Sequence, residues 1–137
     1  MREIIRNNII DLPFSLHDTH IHKIIIDDNN VRFNFKDGYY APSSDSRTPT
    51  QGYIEFQNVD FDYCSVYVFH ASYSQRLKGK RLRLEEFSHK YKELDLEVID
   101  ETYGYNMSKF SGFYYKGKKT LEFMIEIYHF GDMKYIT

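Results

Sequence analysis

Apolar and polar positions alternate along much of this chain. From Val59 to Tyr63 (VDFDY), Val59, Phe61 and Tyr63 fall on one side and Asp60 and Asp62 on the other. A period of two is that of a strand with one buried face. The stretch then changes character. Ser65, Tyr67 and Phe69 share the face of Tyr63, while Cys64, Val66 and Val68 make the opposite face apolar too. A strand apolar on both faces is covered on both. The pattern therefore predicts one long strand over residues 59–70, central in its sheet, with Phe61, Tyr67 and Phe69 in the core.

The same alternation recurs on either side. Ile21 to Ile26, the turn chemistry DDNN at 27–30, and Val31, Phe33 and Phe35 alternating with Arg32, Asn34 and Lys36 predict a hairpin. Residues 52–57 (GYIEFQ) read as a strand with Ile54 and Phe56 on one side, and Asn58 as a kink after it. Asp95 to Tyr103 alternates again, with Leu96, Val98 and Thr102 against Glu97, Ile99 and Glu101. Residues 110–115 and 120–130 form a second hairpin around KGKK, where Leu121, Phe123, Ile125 and Ile127 share a face. Gly131-Asp132 turns into a last short strand, Met133 to Ile136.

Helical spacing is rarer. Leu84, Phe87, Tyr91 and Leu94 follow a period near 3.6 and predict one interior helix. Residues 2–10 (REIIRNNII) read as a short amphipathic helix ended by Pro13. The breaker-rich 41–52 (APSSDSRTPTQG) reads as a mobile surface loop, and 71–80 as a basic loop. Many short strands between turns, without βα alternation, indicate a mainly β fold. The expected architecture is an antiparallel two-layer β-sandwich or open barrel with one short helix, residues 1–137 forming a single domain.

Composition narrows the function classes. The net charge of −2 gives no general attraction to nucleic acid or an acidic membrane. The single cysteine, Cys64, cannot form an internal disulfide and sits where a thiol acts as a small apolar group. Its usage fits a reducing cytoplasm. The opening MREIIRNNIIDLPF is broken by Arg6, Asn7 and Asn8 and lacks the apolar run of a signal peptide. No stretch approaches the roughly 20 apolar residues of a membrane span. With 13 Tyr, 11 Phe and no Trp, the aromatic residues fit strands, and Tyr also suits a binding face. The lack of Trp and of an export signal counts against a carbohydrate-binding sandwich.

Three groups of residues could carry chemistry. The first is His17-Asp18-Thr19-His20-Ile21-His22. On a strand, Asp18, His20 and His22 share a face, and two imidazoles with a carboxylate are a metal-ligand set. The string DTHIH resembles the first-strand metal motif of amidohydrolases and polymerase-and-histidinol-phosphatase-type domains, with His20 and His22 at the matching positions. Those enzymes are α/β barrels of about 200 residues or more. This chain lacks the βα alternation, and its apolar run follows the motif, so that family is set aside.

The second group is Arg76, Lys78, Lys80, Arg81 and Arg83, five cations in eight positions, near Tyr73. Together they could grip phosphate or an acidic protein surface. The third consists of the acid pairs Asp60/Asp62 and Glu122/Glu126, which look the same as outward strand faces. There is no Gly-rich phosphate loop, nucleophile elbow or CxxC pair.

Residues 16–35 (LHDTHIHKIIIDDNNVRFNF) are similar to the first hairpin of small uncharacterised bacterial β proteins, and 125–136 (IEIYHFGDMKYI) to their closing strands. Some proteins of that type are immunity proteins that block a cognate toxin. The resemblance implies a non-enzymatic protein that binds another macromolecule. On the residues themselves, Tyr73, Arg76, Lys78, Lys80, Arg81 and Arg83 are the expected contacts for an acidic protein partner, and no cofactor is expected. A small metal- or ligand-binding β-barrel using residues 17–22 is the alternative. Oligomeric state is left open, a dimer included.

Overall fold

A computed structural model describes residues 1–41, 48–71 and 76–137. In chain order its elements are β1 (Glu3–Ile5), β2 (His20–Asp27), β3 (Asn30–Phe35), β4 (Tyr53–Phe56), a 3-10 turn (Phe61–Tyr63), β5 (Ser65–Ala71), β6 (Leu77–Arg83), α1 (Leu84–Lys90), β7 (Leu96–Gly104), β8 (Met107–Lys116), β9 (Lys119–Tyr128) and β10 (Met133–Ile136). The chain is mainly β, as its alternation predicts. All ten strands join one antiparallel sheet that is not closed into a barrel. The order is β1-β10-β4-β3-β2-β7-β8-β9-β5-β6.

The sheet folds over on itself at its middle. β2 and β7 register through only two pairs, His20 with Glu97 and Ile21 with Leu96. Both strands carry an irregularity beside this seam, at His22 on β2 and Ile99 on β7. A bulge increases local twist and bends a strand, so the two five-strand halves turn to face one another. Their inner faces meet through aromatic rings. Phe110 of β8 lies 5.4 Å from Phe33 of β3 and 5.8 Å from Phe56 of β4, edge-on in both cases. α1 covers the remaining inner face with Leu84 and Phe87, both fully buried.

Several elements differ from the pattern-based expectation, each for a visible reason. Residues 2–10 are not helical: β1 pairs with β10 through Glu3–Ile136, Ile4–Tyr135 and Ile5–Lys134. An isolated helix of that length is marginal in water, whereas an edge strand gains ladder bonds at once. Residues 59–70 are not one strand. Asn58 takes φ 51°, and the Asp60 side chain caps a 3-10 turn by accepting the Asp62 N–H. The strand itself starts at Ser65 and lies next to the edge, between β9 and β6.

Its core face is the other one. Cys64, Val66 and Val68 are buried, while Phe61, Tyr67 and Phe69 are only partly covered. Residues 77–83 are strand β6 rather than loop, in register with β5 from Ser65–Arg83 to Ala71–Leu77. α1 stops at Lys90, and Leu94 instead donates its N–H to the His22 carbonyl at 2.9 Å. On β7 the bulge at Ile99 moves the inward parity by one, so Tyr103 and not Thr102 is buried.

The hairpins β2–β3 and β8–β9 and the strand β10 lie where the pattern puts them. Of the predicted loops, residues 42–47 and 72–75 lie outside the described residues. The ends of the first are tied, Tyr39 and Thr50 exchanging both backbone hydrogen bonds at 3.0 and 2.7 Å. Among the described residues no helix is long and apolar enough to cross a membrane.

Candidate functional site

The cations that are continuous in sequence separate in space because they lie on a strand. Residues opposite each other in an antiparallel pair share a face. Arg81 faces Tyr67 and Arg83 faces Ser65, whereas Lys80 faces the buried Val68 and Lys78 faces His70. The first pair therefore stands on the outward face of the sheet and the second on the inward side, beyond the end of the core. Arg81 donates through Nε to Ser65 Oγ at 2.8 Å. Arg83 reaches Asp62 at 3.6 Å and Glu85 at 3.1 Å. Arg76 is exposed just before β6, and Tyr73 lies outside the described residues.

The outward face beside Arg81 is apolar and open. Phe69 and Tyr67 of β5 register with Glu122 and Met124 of β9 on one side and with Gly79 and Arg81 of β6 on the other. A groove of about 360 Å³ is lined by Tyr67, Phe69, Leu77, Gly79, Lys80, Arg81 and Met124. Leu77 is 69% exposed. Gly79 is required at its floor, since a Cβ there would overlap Phe69 Cβ and come within 2.6 Å of the Val68 carbonyl oxygen. Tyr128 continues the same face of β9, with Tyr63 and Phe130 rings at 5.5 and 5.2 Å. Among the described residues, β6 has no strand on its outer side.

The histidine segment is arranged differently from a shared metal site. Asp18 takes φ 66° and pairs with His17 at 3.0 Å. His20 turns to the start of β7: its Nδ1 is 2.6 Å from Asp95 Oδ1 and its Nε2 4.0 Å from Glu97. Tyr115 stacks on the His20 ring with centroids 6.4 Å apart and donates its hydroxyl to Glu97 at 2.6 Å. His22 is exposed at the bulge and lines a separate cavity of about 410 Å³ with Lys23, Lys36, Lys92, Glu93, Leu94 and Asp95. Asp18, His20 and His22 are thus not assembled as one ligand set. Among the described residues no group of three or more His, Cys, Asp or Glu side chains is placed to hold a metal ion.

The one thiol is not poised for chemistry. Burial pushes the Cys64 pKa up to about 11, only partly offset by its backbone hydrogen bond with Tyr128. A thiolate is therefore scarce at neutral pH. One cluster escapes sequence inspection. Tyr91, at the end of α1, has Lys116 Nζ 4.8 Å and Lys90 Nζ 5.5 Å from its ring centroid, and Lys80 of β6 is close enough to make its phenol more acidic. The helical spacing gave Tyr91 a core role, and nothing in the sequence brings β6, α1 and β8 together at it.

Comparison with known proteins finds no matching family, no matching curated protein and no matching solved structure.

Proposed function

We propose that the chain is a non-catalytic binding protein of the immunity-inhibitor type, which captures an acidic surface of another protein on the outward face of β9, β5 and β6. The observation that carries this reading is the groove floored by Gly79 and lined by Tyr67, Phe69, Leu77 and Met124, next to an outer edge of β6 that no described strand pairs. Rigid aromatic area at modest entropy cost suits recognition. Contiguous exposed apolar surface marks interaction sites. An unpaired edge offers backbone groups to an added strand, and Arg81 sets the sign of the charge that fits.

The test is capture from the native host, identification of the partner, and affinity measured with purified components at two salt concentrations. Replacing Phe69→Ser together with Arg81→Glu should weaken binding by about tenfold or more and flatten its salt dependence, with the far-UV spectrum unchanged. Unchanged affinity of the double variant would remove this face as the interaction site.

A second reading, a small-ligand site at residues 17–22, has one observation in its favour: His22 lines the cavity of about 410 Å³ with three lysines. Thermal stabilisation by a small ligand, lost in His22→Ala but kept in the Phe69→Ser, Arg81→Glu variant, would favour it over the first.

A further inference from the structure

We infer that Tyr91, Lys80, Lys90 and Lys116 form an oxyanion site that takes a phosphoryl group. The four side chains come from three elements and gather around the Tyr91 side chain. Lys116 ends β8, Lys90 ends α1, and Lys80 lies on β6 with its backbone in register with Val68. Lys116 Nζ stands 4.8 Å and Lys90 Nζ 5.5 Å from the Tyr91 ring centroid, while Lys80 acts on the phenol from β6. Cation–π attraction holds Lys116 and Lys90 over the ring, but three like charges so close repel one another, and an anion among them would relieve that repulsion.

The acids that would ordinarily neutralise such a cluster are elsewhere. Among the described residues, none of Lys80, Lys90 and Lys116 has a carboxylate within ion-pair distance. The field at the phenol confirms its sign. Burial raises the Tyr91 pKa, but Lys116, Lys80 and Lys90 together outweigh it and leave the phenol more acidic than usual. No acid acts on it. A carboxylate brings a single negative charge, which offsets only one of the three ammonium groups. A phosphate monoester has three terminal oxygens and nearly two charges at neutral pH, which matches three ammonium groups and a phenol donor. The site centres on Tyr91, on the inward side of β6, and shares only Lys80 with the lining of the outward groove proposed for the protein partner.

The experiment is NMR titration of protein carrying 13Cζ-labelled tyrosine, with sodium chloride at matched ionic strength as control. Inorganic phosphate should move the Tyr91 signal saturably, and sodium chloride should not. Bound phosphate cancels the lysine field, so the phenol should titrate at higher pH in its presence. Lys116→Gln should weaken phosphate binding by about tenfold. Lys109→Gln, remote and paired with Glu126 at 3.6 Å, should leave it unchanged.

A phosphoserine peptide and its unphosphorylated twin then separate the sources. Tighter binding of the phosphopeptide than of free phosphate points to a modified protein, and equal or weaker binding to a small phosphorylated molecule. Absence of a saturable shift in the millimolar range, an equal effect of chloride, or wild-type binding by Lys116→Gln with an unchanged melting curve would each overturn the site.

Discussion

His129 sits between two partners that fix its proton. The Gly131 carbonyl can only accept, so Nδ1 carries the hydrogen and donates at 2.9 Å. Nε2 then accepts from the Ser108 hydroxyl at 2.8 Å. This is the neutral ring; a second proton would put a charge in a buried site and force the Ser108 hydroxyl to turn and accept. The residue is 4% exposed. Burial is the largest influence and lowers its pKa; the Gly131 hydrogen bond and Asp132 work against this, and Arg6 with it. The folded pKa therefore lies below the unfolded one, and the unfolded chain binds more protons as pH falls through about 6.5. The stability this group contributes is complete above that pH and is lost progressively below it. Urea midpoints measured between about pH 7 and 5 should fall, and the fall should be shallower in His129→Gln. Parallel curves for the two proteins would assign the pH dependence to other groups.

Two bulges do at the scale of elements what no apolar pattern announces. The one at Ile99 brings the β7 backbone close to β8, where Gly112 lies across from Val98. A Cβ on Gly112 would overlap the Glu97 carbonyl oxygen and come within 2.9 Å of the Ile99 nitrogen, both backbone atoms that cannot swing aside. Gly112→Ala should therefore lower stability by about 1–3 kcal/mol. Gly104→Ala, where a Cβ meets nothing within 4 Å, should be neutral or slightly stabilising. Urea denaturation of the two variants side by side checks this, and equal midpoints would contradict the close approach.

These same elements show what a sequence can and cannot convey. The hairpin β8–β9 was legible because Phe123, Ile125 and Ile127 alternate without interruption and all become buried. β6 was not, since LKGKRLR buries only Leu82. Lysines and arginines are what an exposed edge strand carries, and in sequence they resemble a solvated loop. The 3-10 turn was missed because Val59-Asp-Phe-Asp-Tyr63 alternates like a strand, while the Asp60 cap and the Asn58 φ that break it are local backbone choices.

The candidate sites are legible only at the scale of the whole molecule. The basic run was visible, yet its division between two faces follows from strand pairing, and the convergence of Lys80, Lys90 and Lys116 on Tyr91 follows from the path of the sheet. That path also sets a folding order. β7, β8 and β9 are consecutive and joined by short turns, so each pairing closes a small loop. β10 enters between β1 and β4, with Met133 opposite Phe56 and Ile136 opposite Glu3.

Closing loops that long costs more chain entropy and slows pairing. In pulse-labelled hydrogen exchange, the amides of Ile125 and Ile127 should gain protection before that of Tyr135, and simultaneous protection would refute the order. Until β10 is seated, β1 has no neighbour and β4 lacks its outer one. The aromatic residues Phe14 and Tyr39, which pack on Tyr135 at 5.2 and 5.9 Å, are then left without that cover. The vulnerable interval in the life of this protein is thus the wait for its last strand, when a half-made layer offers open edges and bare rings to any neighbouring chain.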